Sequence, residues 1–245
     1  MKIIILAAGK GERLYPLTKN TPKPLIDLGD GETLLEKQLK SLSESKVIDE
    51  VIIVIGYLYE QVESKLKNFN TTMKISTLYN PFYDMSNNLI TLWLSKYEMN
   101  QDFLITNGDN LYTSDVVRDL VNKTNDGIYV TICYRDDLGE DDMKVIIDEN
   151  GKILRVSKEI EKSNIESIGL AKIKGEKYRK IYQEILEQLA RNNNYINKFW
   201  LETFNILGER GVEIQSFEID KDKWREVDFH FDIKDLKQLI KNFKI

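Results

Sequence analysis

The tightest constraint on the fold lies at the N-terminus, where Lys2-Ile3-Ile4-Ile5 runs into Leu6-Ala7-Ala8-Gly9-Lys10-Gly11-Glu12-Arg13-Leu14. A continuous β-branched run reads as a strand buried on both faces, and such strands belong to parallel sheets covered by helices on each side. The small residues that follow turn the chain out of the sheet. Gly9 and Gly11 lack Cβ atoms, so the turn can adopt left-handed dihedrals and let a ligand approach its main chain. Exposed N–H groups in such a loop form an anion-binding concavity. Lys10, Arg13 and Lys23 add cationic side chains at the same strand end. The chemistry this suits is holding a triphosphate and withdrawing charge from it.

The chain beyond continues the alternation. Thr33 and Glu36 form a capping-box pair that starts a helix over 33–45. A buried strand over 51–55 ends at Gly56-Tyr57, a helix follows over 60–68, and a third strand over 74–79 leads to Asn87-Asn88. Leu89, Leu92 and Trp93 lie at helical spacing. A fourth strand over 103–106 ends in Asn107-Gly108-Asp109-Asn110, and 114–124 reads as helix. This order predicts a parallel sheet with right-handed crossovers. The second half changes character: a strand over 128–134, an acidic loop, a hairpin around Asn150-Gly151, and a strand over 165–172. Helices over 177–192 and 199–207, strands over 212–219 and 224–228, and a closing helix over 232–243 complete it. The fold class expected is α/β, a mixed, mostly parallel sheet flanked by helices, in one domain spanning 1–245.

Composition narrows the function classes. The chain of 245 residues has 35 Lys and Arg against 40 Asp and Glu, a net charge of −5. The signs are interspersed, without the basic stripe that a nucleic-acid groove needs. The single cysteine, Cys133, lies in an apolar run and reads as core, which leaves neither an intrachain disulfide nor a thiolate metal cluster. No apolar run approaches the roughly 20 residues of a membrane span, and the run after Met1 is too short for a signal peptide. The compartment expected is the cytoplasm, with no membrane partner.

Two familiar glycine loops do not match. The Walker string G-x-x-x-x-G-K-[ST] is absent, and Gly9-x-Gly11 lacks the third glycine of the dinucleotide fingerprint. Ligands of open parallel sheets bind beyond the carboxyl ends of the strands, which groups the glycine loop with Gly56-Tyr57, Asn87-Asn88 and Gly108-Asp109. Asp109 follows an apolar strand, where a carboxylate is best placed to hold a cation; magnesium takes one or two carboxylates with phosphate oxygens and water. A second carboxylate comes from Trp224-Arg225-Glu226-Val227-Asp228, whose alternation puts Glu226 and Asp228 on one face.

The string from Leu6, with Pro16-Leu17-Thr18 and Pro22-Lys23-Pro24-Leu25 after it, resembles the signature of nucleotidyltransferases that activate phosphorylated sugars and alcohols. The ending from Trp224 to Leu236 is similar to the W-x-E-I-D-x-x-x-D-L ending of that family, with Val227 for isoleucine and Phe229-His230-Phe231 for small polar residues. Asp232 reads as the cap of the closing helix, and His230 as structural. The resemblance implies a nucleotide-sugar-transferase-like, Rossmann-type fold and magnesium held by Asp109 and Asp228. It implies that Arg13 steadies the β- and γ-phosphates while Lys23 bridges the α-phosphate and the acceptor. Gly56-Tyr57, 83–88, Asp142-Met143-Lys144-Val145, 157–160 and Ile168-Gly169 together look like the bacterial phosphocholine cytidylyltransferase group. That implies CTP in a pocket of Leu6, Ala7, Ala8, Gly9, Lys10, Gly11, Glu12 and Gly108, with its base near Gly56, Tyr57 and Asn88. The acceptor it implies is a small phosphorylated or phosphonylated alcohol or amine, activated for surface polysaccharide or lipid modification. The partners expected are CTP and that acceptor, acting on a monomer or a homo-oligomer.

The acceptor end carries its own expectation. The loop before the hairpin holds Asp136, Asp137, Glu140, Asp141 and Asp142 but no aromatic residue to cage a quaternary ammonium. Asp141, Asp142 or Glu202 is expected to face an amine, Lys144 or Lys158 to meet a phosphate, and Trp200 with Phe199 to supply a partial cage. This favours aminoethylphosphonate or phosphoethanolamine over phosphocholine. The rival readings are a sugar-1-phosphate transferase using UTP or dTTP, and a catalytically silent nucleotide-binding regulatory subunit.

Overall fold

The computed structural model describes residues 1–228; the expected closing helix, His230 and Asp232 lie outside the described residues. In chain order the elements are β1 (Lys2–Ala7), α1 (Leu34–Ser45), β2 (Glu50–Ile55), α2 (Tyr59–Leu66), β3 (Lys74–Tyr79), α3 (Asn88–Leu94), β4 (Phe103–Asn107), β5 (Asn110–Tyr112) and α4 (Ser114–Val121). There follow β6 (Gly127–Tyr134), β7 (Lys144–Ile147), β8 (Ile153–Ser157), β9 (Ile165–Lys174), α5 (Glu176–Ala190), α6 (Glu202–Glu209), β10 (Ile214–Glu218) and β11 (Trp224–Glu226). The expectation of a mixed, mostly parallel sheet flanked by helices is met. The main sheet runs β10-β6-β9-β4-β1-β2-β3. β4, β1, β2 and β3 are parallel, and β9 enters antiparallel to both β4 and β6.

Period-2 alternation divides β1 between two cores. Ile4 and Leu6 pack with α3, α5 and α6 on one face, while Ile3, Ile5 and Ala7 pack with α1, α2 and α4 on the other. Cys133 is fully buried in the second of these cores. The chain leaves β1 toward β2 and β3 on one side and returns to β4 on the other. The loop after β1 therefore sits at the switch in strand order, where such sheets open a crevice. A smaller cluster of Leu14, Ile26, Leu28, Leu34, Leu111 and Val227 seats the segment after the loop against β5 and β11. Among the described residues, no helix is long and apolar enough to cross a membrane.

Several boundaries differ from the periodicity, each for a tertiary reason. The helix expected from residue 199 begins at Glu202, because Ile196 and Lys198 give their carbonyls to the N–H groups of Asn87 and Leu89. α4 stops at Val121, where the buried Lys172 ammonium donates to the carbonyls of Leu120 at 2.9 Å and Val121 at 2.8 Å, groups a helix end leaves unpaired. β5 is too short to show a period; it pairs antiparallel with β11 in the register Asn110↔Glu226.

Candidate active site

The loop after β1 is closed on itself. Gly11 lies in the left-handed region at φ 65°, and its carbonyl accepts the Leu14 N–H at 3.0 Å and the Thr18 hydroxyl at 2.9 Å. A Cβ there would stand 3.0 Å from both Lys23 Cβ and Thr18 Cγ2, so glycine lets Lys23 come in against the loop. Opposite the loop, β4 ends and Gly108 passes under it, its N–H donating to the Leu6 carbonyl at 2.8 Å. The β5–β11 pairing then carries the chain from Asp109 to Asp228: Val227 donates its N–H to the Asp109 carbonyl at 2.9 Å. Because Leu111 and Val227 face the small core, Asn110, Glu226 and Asp228 face the other way, into a cavity of about 450 Å³.

Charged side chains of both signs converge in that cavity. Lys23 Nζ lies 2.9 Å from Asp109 Oδ2 and 2.8 Å from Asp228 Oδ1. Arg13 bonds Asp228 through Nη1 and reaches Asp141 Oδ1 at 3.2 Å through Nη2. Burial by itself disfavours the Lys23 ammonium, yet the attraction of Asp109 and Asp228 outweighs it and holds the group above its ordinary value. Asp228 shows the reciprocal effect: burial works against its charge, and Lys23 and Arg13 keep it below its ordinary value. At Glu226 the pull of Lys23 is outweighed. Burial, then the adjacent charges of Asp109 and Asp228, push it up to about 8.

The residues singled out by sequence divide into those that line this cavity and those that stand outside it. Leu6, Ala7, Ala8, Gly9, Gly11, Arg13, Lys23, Asn88, Gly108, Asp109 and Asp228 line it, together with Asp141, Asp142, Lys158 and Trp200. Lys10 turns to an ion pair with Asp84, and Glu12 is exposed. Gly56-Tyr57 buttresses the loop from behind: the Tyr57 N–H donates to the Ala8 carbonyl at 3.0 Å and its hydroxyl to the Lys19 carbonyl at 2.7 Å. Lys144 is buried and donates to the Lys158 carbonyl at 3.3 Å. Glu202 accepts from Asn205 at 2.8 Å. Trp200 is fully buried, its indole N–H on Asn107 Oδ1 at 2.8 Å, and is a packing residue at the cavity floor. Asp142 accepts the Gly139 N–H at 2.6 Å, and Asp141 stands between Arg13 and Lys158. The carboxylates expected to face a substrate amine thus have partners within the chain.

Residues the sequence reading passed over hold the site in place. Gln38 of α1, fully buried, donates from Nε2 to the carbonyls of Asn107 at 2.9 Å and Asn110 at 3.0 Å, the residues flanking Gly108-Asp109. Ser41, three residues on, bonds the Tyr112 carbonyl. A signal was present: both are polar yet fall on the buried stripe set by Leu34, Leu35, Leu39 and Leu42. Asn110 ties three strands together, donating to Ile168 O at 2.7 Å and accepting the Trp224 indole N–H at 3.1 Å. Asn88, expected near the base, accepts the Trp200 N–H at 2.9 Å. Glu166 on β9 lines the cavity, bonded by Arg135 at 2.8 Å; burial pushes its carboxyl up to about 7 against the pull of that guanidinium.

A glycine loop at the switch point, cations beside it and carboxylates opposite are the anatomy of an enzyme that handles nucleoside triphosphates. The chain belongs to the nucleotidyl transferase family, whose model matches residues 2–227, and it is therefore a transferase. It is 35% identical over 162 residues to a choline-phosphate cytidylyltransferase of Streptococcus pneumoniae, covering 63% of this chain and 67% of that one. It is 28% identical to a CTP:phosphoglutamine cytidylyltransferase of Campylobacter jejuni, covering 96% of this chain and 98% of that one. The fold matches the S. pneumoniae CTP:phosphocholine cytidylyltransferase with a TM-score of 0.79 at 24% identity, each chain covered to 98%. It also matches the inositol-1-phosphate CTP transferase of T. maritima at 0.80 and 20% identity, covering 98% of this chain and 96% of that one.

Proposed function

We propose that this chain is a magnesium-dependent cytidylyltransferase that joins CTP to a small phosphorylated or phosphonylated acceptor and releases pyrophosphate. The observation that carries the reading is the placement of Lys23 and Arg13, beside the glycine loop, on the carboxylates of Asp109 and Asp228. Support for cytidine comes from the relatives, two of which are named for CTP or cytidylyl transfer and one of which aligns over nearly the whole chain.

An oxygen of the acceptor phosphate attacks the α-phosphorus of CTP in line. The new P–O bond forms as the bond to the β-phosphate oxygen breaks, and the electron pair leaves with pyrophosphate. A triphosphate laid along the loop offers its oxygens to the exposed main chain at Gly9. Arg13, at the mouth, is placed for the departing β- and γ-phosphates, and Lys23, deeper in, for the α-phosphate and the incoming oxygen. Catalysis of this kind is positioning and charge neutralisation. The acid pair fits a hard divalent cation: Asp109 Oδ1 is buried with no hydrogen-bond partner, and Asp109 Oδ2 and Asp228 Oδ1 already converge on one positive charge. Asp109 and Asp228 would hold magnesium, which supplies charge neutralisation at the phosphates.

Pyrophosphate release, screened with CTP, UTP, dTTP and ATP against phosphocholine, aminoethylphosphonate, glycerol phosphate and glucose-1-phosphate, tests the reading. CTP is expected to dominate with a non-sugar acceptor. Turnover that needs UTP or dTTP and a sugar-1-phosphate would replace it with the sugar-nucleotide alternative.

A further inference from the structure

The cavity wall carries an ammonium besides Lys23 and Arg13, the cations that the proposed transfer step uses. Lys158 follows β8, and its Nζ stands 4.9 Å from the centre of the Phe199 ring and 3.6 Å from Asp141 Oδ1. An ammonium on an aromatic face beside a carboxylate is how proteins recognise cationic ligands. Here a side chain of the same chain fills that position.

The backbone builds this pairing. Asn205 of α6 donates from Nδ2 to the Val156 carbonyl and accepts the Val156 N–H on Oδ1, both at 2.9 Å. One carboxamide thus fixes the outer strand of the β7–β8 hairpin against α6. The buried Lys144 holds the Lys158 carbonyl from beneath. On the other side, the Phe199 carbonyl accepts the Glu202 N–H at 3.0 Å, and Asn88 holds the next residue at the Trp200 N–H. Lys158, Phe199 and Asp141 all line the cavity.

We propose that Lys158 is a specificity-determining residue. By occupying the Phe199 face it excludes acceptors that end in a quaternary ammonium, and it selects those whose distal end bears a hydroxyl, carboxamide or carboxylate oxygen. The inference rests on the reading that an acceptor phosphate is cytidylylated in this cavity. A trimethylammonium would meet Lys158 as a like charge in a partly desolvated site, a repulsive element of the kind that sets specificity. An oxygen-bearing end instead takes charge-assisted hydrogen bonds from the lysine. Asp141 does not reverse the preference, because Arg13 and Lys158 both already draw on it.

Calorimetric titration of phosphocholine and of glycerol phosphate, with a non-reactive CTP analogue present, reads this wall whether or not transfer occurs. Lys158→Met should bind phosphocholine about tenfold more tightly than the unaltered protein, the scale of one cation–π contact regained. Glycerol phosphate should bind several-fold more weakly, and adding Phe199→Leu should erase the phosphocholine gain. Lys158→Gln, which keeps a donor, serves as the second variant and should keep most of the glycerol phosphate affinity. Phosphocholine binding that is equal, weaker or undetectable in Lys158→Met overturns the proposal; a common fall for both ligands would place Lys158 on the shared phosphate instead. A parallel pyrophosphate assay separates the two claims: no release by the unaltered protein defeats the enzymatic reading, while the binding ratios still decide the role of Lys158.

Discussion

At the wall proposed for the nucleotide, Lys23 is held between Asp109 and Asp228 with all three side chains at 12–23% exposure. At the wall proposed for the acceptor, Lys158 and Asp141 project from a hairpin end and a loop with side chains 27% and 60% exposed. In the first set Asp109 follows β4, Asp228 follows β11 and Lys23 sits on the segment after the glycine loop, and each charge is bound to the next. The second rests on an edge hairpin, and its charges are only partly desolvated. Desolvated charges interact strongly and cannot be removed singly without stranding a partner, whereas hydrated ones contribute little apiece. Changes at the first wall should therefore cost turnover, and changes at the second should re-rank substrates.

The largest effect that sharpens this contrast is expected from Asp109→Asn and Asp228→Asn. Each should lower kcat by about a thousandfold with the circular dichroism spectrum unchanged, in line with losing a group that organises transition-state charge. Magnesium-dependent turnover within tenfold of the unaltered enzyme would break the contrast at its strong end. Next come the cations. Arg13→Ala should lower kcat at saturating CTP by about a hundredfold, roughly 3 kcal/mol. Lys23→Ala should lower kcat comparably and also raise the acceptor KM, as measured in steady-state kinetics.

A smaller loss tests whether the nucleotide wall is held from behind. Gln38→Met leaves the Asn107 and Asn110 carbonyls without their shared donor, which costs about 1–3 kcal/mol of stability. Ser41→Ala, which frees the Tyr112 carbonyl, should cost a similar amount. Only Gln38→Met should also lower kcat, by about tenfold, because only its contacts flank Asp109. Equal kcat in the two variants, against matched thermal melts, would reduce Gln38 to a packing residue.

The smallest effect concerns pH. Glu166 has a folded-state pKa of about 7 against an ordinary 4.5, so between those values the folded chain keeps a proton that the unfolded chain releases. Its contribution to stability is complete below about 4.5 and is lost as pH rises through 7. Glu166→Gln should flatten that decline by at most a few kcal/mol, seen as a smaller drop in thermal midpoint from pH 5 to pH 8. An unchanged pH profile would show that Arg135 fully compensates the buried carboxylate.

Much of this molecule was legible because its signals are local. The capping box at Thr33 and Glu36 forms, with Glu36 Oε2 accepting the Thr33 N–H at 2.9 Å. β3 spans the expected 74–79, and Gly151 turns the hairpin at φ 77°. The parallel pairing of the first four main strands, with the glycine loop beyond the end of the first, followed from strand–helix alternation. Motif and spacing also picked out Arg13, Lys23 and Asp109, and the family resemblance chose Asp228 over Glu226.

What the sequence could not supply was which distant groups meet. Lys23 and Asp228 lie 205 residues apart, and the three-residue β5–β11 pairing that unites Asp109 with Asp228 carries no period to read. Gln38 was marked by its place on a buried stripe, but neither its position nor that of Asn205 tells which remote carbonyls and N–H groups the side chain meets. Lys158 and Phe199 were visible as residues, but their contact depends on how a hairpin edge docks on α6. Periodicity and turn chemistry are properties of neighbours along the chain, so sequence alone determined the elements and the nucleotide loop. The pairing of buried polar groups is a property of neighbours in space, so only the tertiary structure decided which carboxylates share a cation and which are already spent on internal partners.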